Sequence, residues 1–423
     1  MANPRKTAVK VLIKIEKEGT YSNLALAEAL KSADLTPQDK ALATALIYGV
    51  LDRKITLDYI LSQFLKNPIN KTEDYTLAVL RSALYQIKYM DKIPESAAVN
   101  EAVKLMKASK FSRNAGFVNG VLRSVLRSEA ELPDGDSPED LSVKYSCPLW
   151  IAESFIKDYG TENAKQLLIE SLKPAPTVLR VNTVKTDTET VKERLKGMGV
   201  EFKDGLFDNS LELTRGIDIA GNELYIDGSV YVQDYASQKA ALTLNPKKGD
   251  RVLDMCAAPG GKTFTMAGLM ENMGEIIACD LHPHRTELIK KSAKRLGLNN
   301  VKTTVADATV YDEKLGEFDC ILCDVPCSGL GVLRRKPEIK YIKENSFEEL
   351  QEIQLKIVKN ALKYLKKGGR LLYSTCTLRC EENEKLVISL KKEYNNLYTI
   401  YEHTFMPHID GTDGFYCALL EKR

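Results

Sequence analysis

Two cysteines of this 423-residue chain stand where reactive thiols would: Cys327 in Asp324-Val325-Pro326-Cys327-Ser328-Gly329, and Cys376 in Ser374-Thr375-Cys376-Thr377. Both follow a glycine-bearing loop, Cys256-Ala257-Ala258-Pro259-Gly260-Gly261-Lys262-Thr263. A free cysteine is ordinarily a small buried hydrophobe, and Cys279, Cys320, Cys323 and Cys417, within strand-like runs, read that way. Cys327 and Cys376 differ because each comes at or just past the C-terminal end of an expected strand, where open α/β sheets bind ligands. Two such thiols suit a reaction in which a thiolate attacks and must later be helped to leave.

The loop before them joins a strand to a helix. Its small residues allow close backbone approach, and the helix N-terminus favours negative charge. Gly261-Lys262-Thr263 looks like the end of a P-loop, but that motif needs a glycine five positions before Gly261, where Cys256 stands. Asp280, Asp307 and Asp324 close the next three strands. An acid after the second strand suits ribose hydroxyls, and one after the third can accept from an adenine amino group. Acids at strand ends also cap helices, yet three in order after the loop describe an adenosine-bearing cofactor without a pyrophosphate. S-adenosylmethionine fits better than NAD, whose GxGxxG is absent.

Methylation at C5 of a cytosine needs this combination. C5 is a poor nucleophile until a thiolate adds to C6 and turns the ring into an enamine-like species; the C5 proton and the thiolate must then leave. Asp324 near N3 would stabilise charge on the ring, and Lys262 could supply positive charge in the same pocket. The residue pattern does not decide which cysteine attacks.

The elements that must position these groups follow from length and periodicity. The length suggests two or three domains, and 44% hydrophobic residues are ample for several cores. The apolar runs are too short for a membrane helix, and Met1–Lys10 lacks a secretory signal, so a cytoplasmic protein is expected. Eight of nine cysteines lie after residue 250, unlike a disulfide framework. Cys320-x-x-Cys323 has metal-like spacing, but strand alternation sends the pair to opposite faces, and the four histidines show no ligand spacing. No metal is expected.

Apolar spacing of three and four predicts helices throughout residues 1–128, with Thr36 capping one that opens at Pro37. This stretch holds 20 Lys/Arg against 12 Asp/Glu, within a chain whose net charge is only +2. Lys104, Lys107, Lys110 and Arg113 mark a candidate phosphate-binding surface, although a solvated helix face would look the same. An acidic, Pro- and Gly-containing stretch, 129–140, reads as a linker. Helices near 150–159 and 162–172, a strand at 177–182, a helix at 188–197 and short strands at 211–213 and 225–226 make a small α+β unit. Beyond residue 230, strands at 251–254, 275–280, 301–306, 318–323, 370–374 and 415–420 alternate with helices at 263–270, 285–296 and 347–365, as in a parallel sheet.

The loop Cys256–Thr263, Asp-Val-Pro-Cys-Ser-Gly at 324–329 and Ser-Thr-Cys-Thr at 374–377 resemble the motifs of the RNA cytosine-C5 methyltransferases (the RsmB/NOP family), its bacterial 16S rRNA members most closely. Leu179–Thr183 and Val232–Gln238 are similar to further family segments, and the resemblance runs nearly end to end. It implies three domains: an all-α, NusB-like RNA-binding bundle over 1–135, a small α+β RNA-positioning domain over 141–230, and an α/β Rossmann-like methyltransferase domain over 231–423. It implies that Cys376 is the nucleophile and Cys327 assists release, with Asp324 in the same site. S-adenosylmethionine contacts would come from Cys256, Ala257, Ala258, Pro259, Gly260, Gly261, Lys262, Asp280, Asp307 and Asp324. The expected partner is small-subunit rRNA, bound by a monomer with Arg334 and Arg335 adding to the RNA surface. Glu338 and Tyr341 stand where the family usually has Asp and Trp, which puts RNA contacts there in question. A tRNA methyltransferase, an RNA chaperone without turnover and an amine methyltransferase are the rival readings. The NusB-like extension, the two intact cysteines and the cysteine at position 327 argue against them in turn.

Overall fold

Apolar residues three and four apart wind the first part of the chain into helices Pro4–Glu18, Ser22–Ser32, Pro37–Ser62, Asp74–Tyr89, Glu95–Lys107, Ala115–Arg127, Pro138–Lys144 and Leu149–Ser171. The computed structural model describes residues 3–19, 22–32, 34–128 and 130–423. Thr36 caps the third helix as expected, its hydroxyl accepting the Asp39 N–H, with Pro37 in the first turn. Gly160 (φ 78°, ψ 162°) breaks 149–171 into the two helices anticipated there. Leu46, Ile47, Val50, Leu57, Ile60 and Leu61 bury one face of the long third helix. Each such side chain contributes roughly 1.5–3 kcal/mol. Arg81 enters this core only because Asp58 (2.6 and 2.8 Å) and Glu16 (3.1 Å) meet its guanidinium.

The chain divides into two units, and the helical one, ending at Lys173, also takes in Leu333–Ile342 from far along the sequence. This excursion is packed as core. Pro337, Glu338, Ile339 and Lys340 are buried. Glu338 accepts from the Ser22 hydroxyl (2.8 Å) and N–H (3.3 Å), Tyr341 donates its hydroxyl to Leu51 O (2.5 Å), and Lys54 lies over the Tyr341 ring. Lys340, fully buried, donates to Asp52 O at 3.3 Å and stands 3.7 Å from the Asp52 carboxylate.

The second unit holds two sheets. The smaller is antiparallel, ordered β2-β3-β1-β4, from β1 (Thr177–Val181), β2 (Phe202–Asp204), β3 (Ser210–Leu213) and β4 (Val230–Val232). Val191 and Leu195 of helix Thr188–Gly197 pack with Leu179, Val181 and Leu211 of this sheet. The strand expected at 225–226 is instead a helical turn, Glu223–Ile226: Asn222 caps it by accepting the Leu224 N–H, and Gly228 (φ 79°) turns the chain into β4. Asn182 ties this sheet onward by donating to Gly228 O and Leu296 O.

The larger sheet comprises β5 (Arg251–Asp254), β6 (Glu275–Asp280), β7 (Val301–Val305), β8 (Phe318–Asp324), β9 (Leu365–Thr375), β10 (Leu397–Phe405) and β11 (Phe415–Lys422), in the order β10-β11-β9-β8-β5-β6-β7. Strands β5 to β9 run parallel, and β11 inserts antiparallel between β9 and β10. Sequence reasoning missed β10, a half-exposed edge strand with no continuous apolar run. Helices Gly261–Leu269, Pro283–Leu296, Glu348–Tyr364 and Glu384–Glu393 connect the strands. Cys320 packs with Val252 and Leu322, Cys323 with Leu253 and Tyr373, so β8 does send them to opposite faces.

The pair that Lys340 of the excursion makes with Asp52 of the third helix carries a stability prediction. Lys340→Met leaves the Asp52 carboxylate without its counter-charge and should cost the helical unit about 3 kcal/mol, whereas the double change with Asp52→Asn should recover most of it. Urea denaturation followed by tryptophan fluorescence at Trp150, which lies in this unit, measures both.

Candidate active site

β5 and β8 are neighbours in the sheet but far apart in sequence, so the chain reverses its winding between them and leaves a crevice beyond their carboxyl ends. The loop Met255–Gly260 leaves β5 there, tied down by Met255 N–H to Leu322 O (3.0 Å) and Ala257 N–H to Cys279 O (2.7 Å). Gly260 takes φ 106°, and a Cβ on it would lie 2.4 Å from the Phe264 ring, so no other residue fits. Asp254 is buried beneath the loop. Thr263 donates to its Oδ2 (2.7 Å), while Oδ1 has no hydrogen-bond partner among the described residues.

Asp280, at the end of β6, is buried, accepts the His282 N–H at 3.1 Å, and pairs with Arg285, which also donates to Ala258 O. Leu281 beside it is exposed. Asp307 is exposed past β7, and its Oδ1 receives the Thr309 N–H and hydroxyl, which hold its carboxyl below the ordinary value. A glycine cradle, an orphaned carboxylate oxygen, a positioned acid and a bare apolar side chain fit an adenosine-bearing group such as S-adenosylmethionine.

Asp324 ends β8 and does not face that cradle alone. Lys262 donates to its Oδ2 at 2.7 Å and Ser374 to its Oδ1 at 2.8 Å, and Lys262 also reaches Ser237 Oγ at 3.2 Å. Burial opposes the Lys262 charge, but Asp324, Asp234 and the Cys376 sulfur outweigh it and raise its pKa above the ordinary value. Cys327 Sγ and Cys376 Sγ, carried by the loops after β8 and β9, are 3.3 Å apart. The hydrogen bond with Cys376, then burial, hold the Cys327 thiol well above its ordinary pKa. Burial, the largest influence on each, pushes Cys147, Cys279, Cys320 and Cys417 to about 12, which leaves them inert.

The structure therefore brings together Cys327, Cys376, Asp324 and Lys262, and the loop with Asp280 and Asp307 beside them. Sequence reasoning missed Ser237, Ser374 and Arg285, although Ser237 lies within Val232–Gln238 and Ser374 opens the second cysteine motif. It missed Glu382 and Gln354 with no motif to flag them. Lys104, Lys107, Lys110 and Arg113 are exposed on the helical unit, Lys104 paired with Glu101 at 2.8 Å. Arg334 and Arg335 are half-buried in the excursion, and Glu338 and Tyr341 serve its packing. Among the described residues no cluster of His, Cys, Asp and Glu could hold a metal ion. No helix among them is long and apolar enough to cross a membrane.

Three family models match this chain: 16S rRNA methyltransferase RsmB/F over 241–421, the NusB family over 2–127, and the RsmF/B-like ferredoxin-like domain over 147–220. The Bacillus subtilis protein named "Probable ribosomal RNA small subunit methyltransferase B" is 38% identical, with 99% of this chain and 98% of that one covered. "Ribosomal RNA small subunit methyltransferase B" of Shewanella oneidensis is 31% identical, with 99% of each covered. The crystal structure of PH0851 is 26% identical with a TM-score of 0.83, over 100% of this chain and 99% of that one. That of NSun6 from Pyrococcus horikoshii with SFG is 25% identical with a TM-score of 0.61, over 65% and 98%.

Burial pushes the Asp254 carboxyl from 3.8 up to about 7. Between those values the folded protein keeps a proton that the unfolded chain releases. Its contribution to stability is thus full below about pH 4 and lost as pH rises through about 7. Asp254→Asn should abolish this slope and stabilise the protein at pH 8 by on the order of 2 kcal/mol, with little change at pH 4. Denaturant titrations across that range measure it.

Proposed function

This chain belongs to the ribosomal RNA small subunit methyltransferase B family, and we propose that it methylates C5 of one cytosine in 16S rRNA through a covalent adduct on Cys376. The observation that carries this reading is the 3.3 Å approach of Cys327 and Cys376 beside the Lys262–Asp324 pair. Its cofactor is S-adenosylmethionine, which supplies an electrophilic methyl group when bound. The 256–262 loop, Asp280 and Asp307 would hold it, with Asp324 between cofactor and base.

The resemblance gives the roles, Cys376 attacking and Cys327 assisting release, and the surroundings of the two thiols are compatible with it. The Lys262 charge acts on the Cys376 sulfur, and the hydrogen bond with Cys376, then burial, hold the Cys327 thiol above its ordinary pKa. The target cytosine must leave its stack to reach these groups, because a helix hides C6. Cys376 then adds to C6, forming an S–C6 bond and moving electron density toward N3, where the Lys262 ammonium, oriented by Asp324, offsets it. This makes C5 nucleophilic. Once Cys376 is bonded to carbon, it no longer carries a negative charge beside Cys327. Cys327 can ionise and take the C5 proton after methylation, and the S–C6 bond breaks with its electrons returning to Cys376. The same reading gives the exposed Lys104, Lys107, Lys110 and Arg113 the role of contacting RNA phosphates, with Arg334 and Arg335 contributing.

Cys327→Ala should lower turnover about 10²- to 10⁴-fold and accumulate a denaturation-resistant protein–RNA adduct with 16S rRNA. Cys376→Ala should form none. The reverse pattern would assign the attack to Cys327, and an equal or better reaction with tRNA would redirect the substrate. Joint replacement of Lys104, Lys107 and Arg113 by Glu should weaken RNA binding and flatten its dependence on salt, the slope falling by close to one for each phosphate that the protein no longer neutralises. Filter binding from 50 to 200 mM salt checks this, and an unaltered affinity would remove the patch from the interface.

A further inference from the structure

A buried carboxylate with no part in the chemistry above joins the two cysteine loops. Glu382 is 0% exposed and lies six residues after Cys376. Its Oε2 accepts the Ser328 N–H at 3.0 Å and the Gln354 side-chain amide at 2.9 Å. That amide nitrogen also donates to Pro326 O at 2.9 Å, and Gln354 too is 0% exposed. Cys327 is thus gripped on both sides, through the carbonyl before it and the N–H after it.

The Cys376 side of the clamp is built from the same stretch. Asn383 accepts the Thr375 hydroxyl (2.6 Å) and donates to Thr377 O (3.0 Å), and the Thr377 hydroxyl meets Ser328 Oγ at 2.6 Å. Tyr373 donates its hydroxyl to Glu382 O at 2.5 Å, which fixes the clamp against β9. Gly331 N–H donates to Cys376 O at 2.9 Å, at a point where a Cβ would meet Gly414 O at 1.9 Å. Burying a carboxylate is costly unless its hydrogen bonds are well made. Yet Glu382 Oε1 has no hydrogen-bond partner among the described residues, with Arg379 Nε 3.9 Å away. An amide or an apolar side chain would fill this place at lower cost. What the carboxylate adds is a charge-assisted acceptor shared by the Cys327 loop and Gln354.

We propose that Glu382, acting through Ser328 and Gln354, is a positioning residue that holds Cys327 at reacting distance from Cys376. The catalytic part of this inference rests on the function proposed above; the geometric part does not. Loosening the loop should cost little at Cys376, whose own neighbours are tied by Asn383, and much at Cys327.

The sulfur–sulfur distance can be tested without turnover. Diamide takes two electrons and two protons from a close pair of thiols, forming the Cys327–Cys376 disulfide and a hydrazine, and peptide mass spectrometry follows the rate. Glu382→Ala should slow this reaction about tenfold, and Glu382→Gln, which keeps an acceptor for Ser328, should stay within about threefold of wild type. Should Glu382→Ala fail to fold, Gln354→Met, which removes both donated hydrogen bonds, should still slow it by about threefold or more. A wild-type rate in the folded variant would overturn the proposal.

With 16S rRNA and S-adenosylmethionine, Glu382→Ala should resemble Cys327→Ala: adduct accumulates while turnover falls. A parallel fall of adduct and turnover would mean a merely structural role and would overturn the proposal. If Cys327→Ala itself gave no adduct, the proposed function would fail, and the diamide rates would still decide whether Glu382 sets the sulfur geometry.

Discussion

A half-buried ammonium among negative groups constrains everything around it here. Lys262 stands 2.7 Å from Asp324 and within the influence of Cys376 and Asp234. In a partly shielded site such charges interact more strongly than in water, and an unpaired one would be costly. The ion pair thus does two things. It lets a carboxylate persist at the end of β8, and it places a positive charge near the Cys376 sulfur beyond β9. Ser374, placed on β9 directly opposite Asp324, satisfies the second carboxylate oxygen and fixes its direction. Cys320 and Cys417, by contrast, lie buried within strands.

The parallel sheet explains how residues from five separate stretches reach one point. Every strand from β5 to β9 ends on the same edge, so Asp254, Asp280, Asp324 and Thr375 emerge side by side although more than a hundred residues separate the first from the last. The reversal of winding between β5 and β8 opens the crevice, and the antiparallel β11 closes the far side, bringing Phe415 under Lys262. Strand ends carry Asp254, Asp280 and Asp324, and the loops after β8 and β9 carry the two cysteines, the placement expected at the carboxyl edge of an open α/β sheet.

Much of this was legible in the sequence because it is local. The strand–loop–helix rhythm, the glycine loop, the acids at strand ends and both cysteine motifs are short patterns whose physical meaning travels with them. The opposite faces of Cys320 and Cys323 follow from alternation alone. What was not legible depends on tertiary pairing. Edge strand β10 has no apolar signature, since it buries little. The turn at 223–226 was decided by the Asn222 cap rather than by its two apolar residues. Glu382 and Gln354 are anonymous polar residues in helical or loop sequence, and only the fold brings them to the Cys327 loop.

Tertiary pairing decides the excursion at 333–342 as well, at larger scale. Its basic start, Arg334-Arg335-Lys336, reads as an electrostatic surface, yet the four residues after it are core. The Glu338 carboxylate and the Tyr341 hydroxyl, which replace an acid and an aromatic of different size in the resembling family, each complete a hydrogen bond within the helical unit. A longer acid reaches Ser22, and a phenol reaches a backbone carbonyl that an indole, with its single donor differently placed, would address in another way. The substitutions are therefore matched to the start of one helix, at Ser22, and the middle of another, at Leu51. The excursion begins at Leu333, six residues after Cys327 in the chain, so a sequence that packs the helical unit also terminates the loop on which the second sulfur rides. Residues that pack the helical unit and the loop that carries Cys327 thus adjoin in a single stretch of polypeptide.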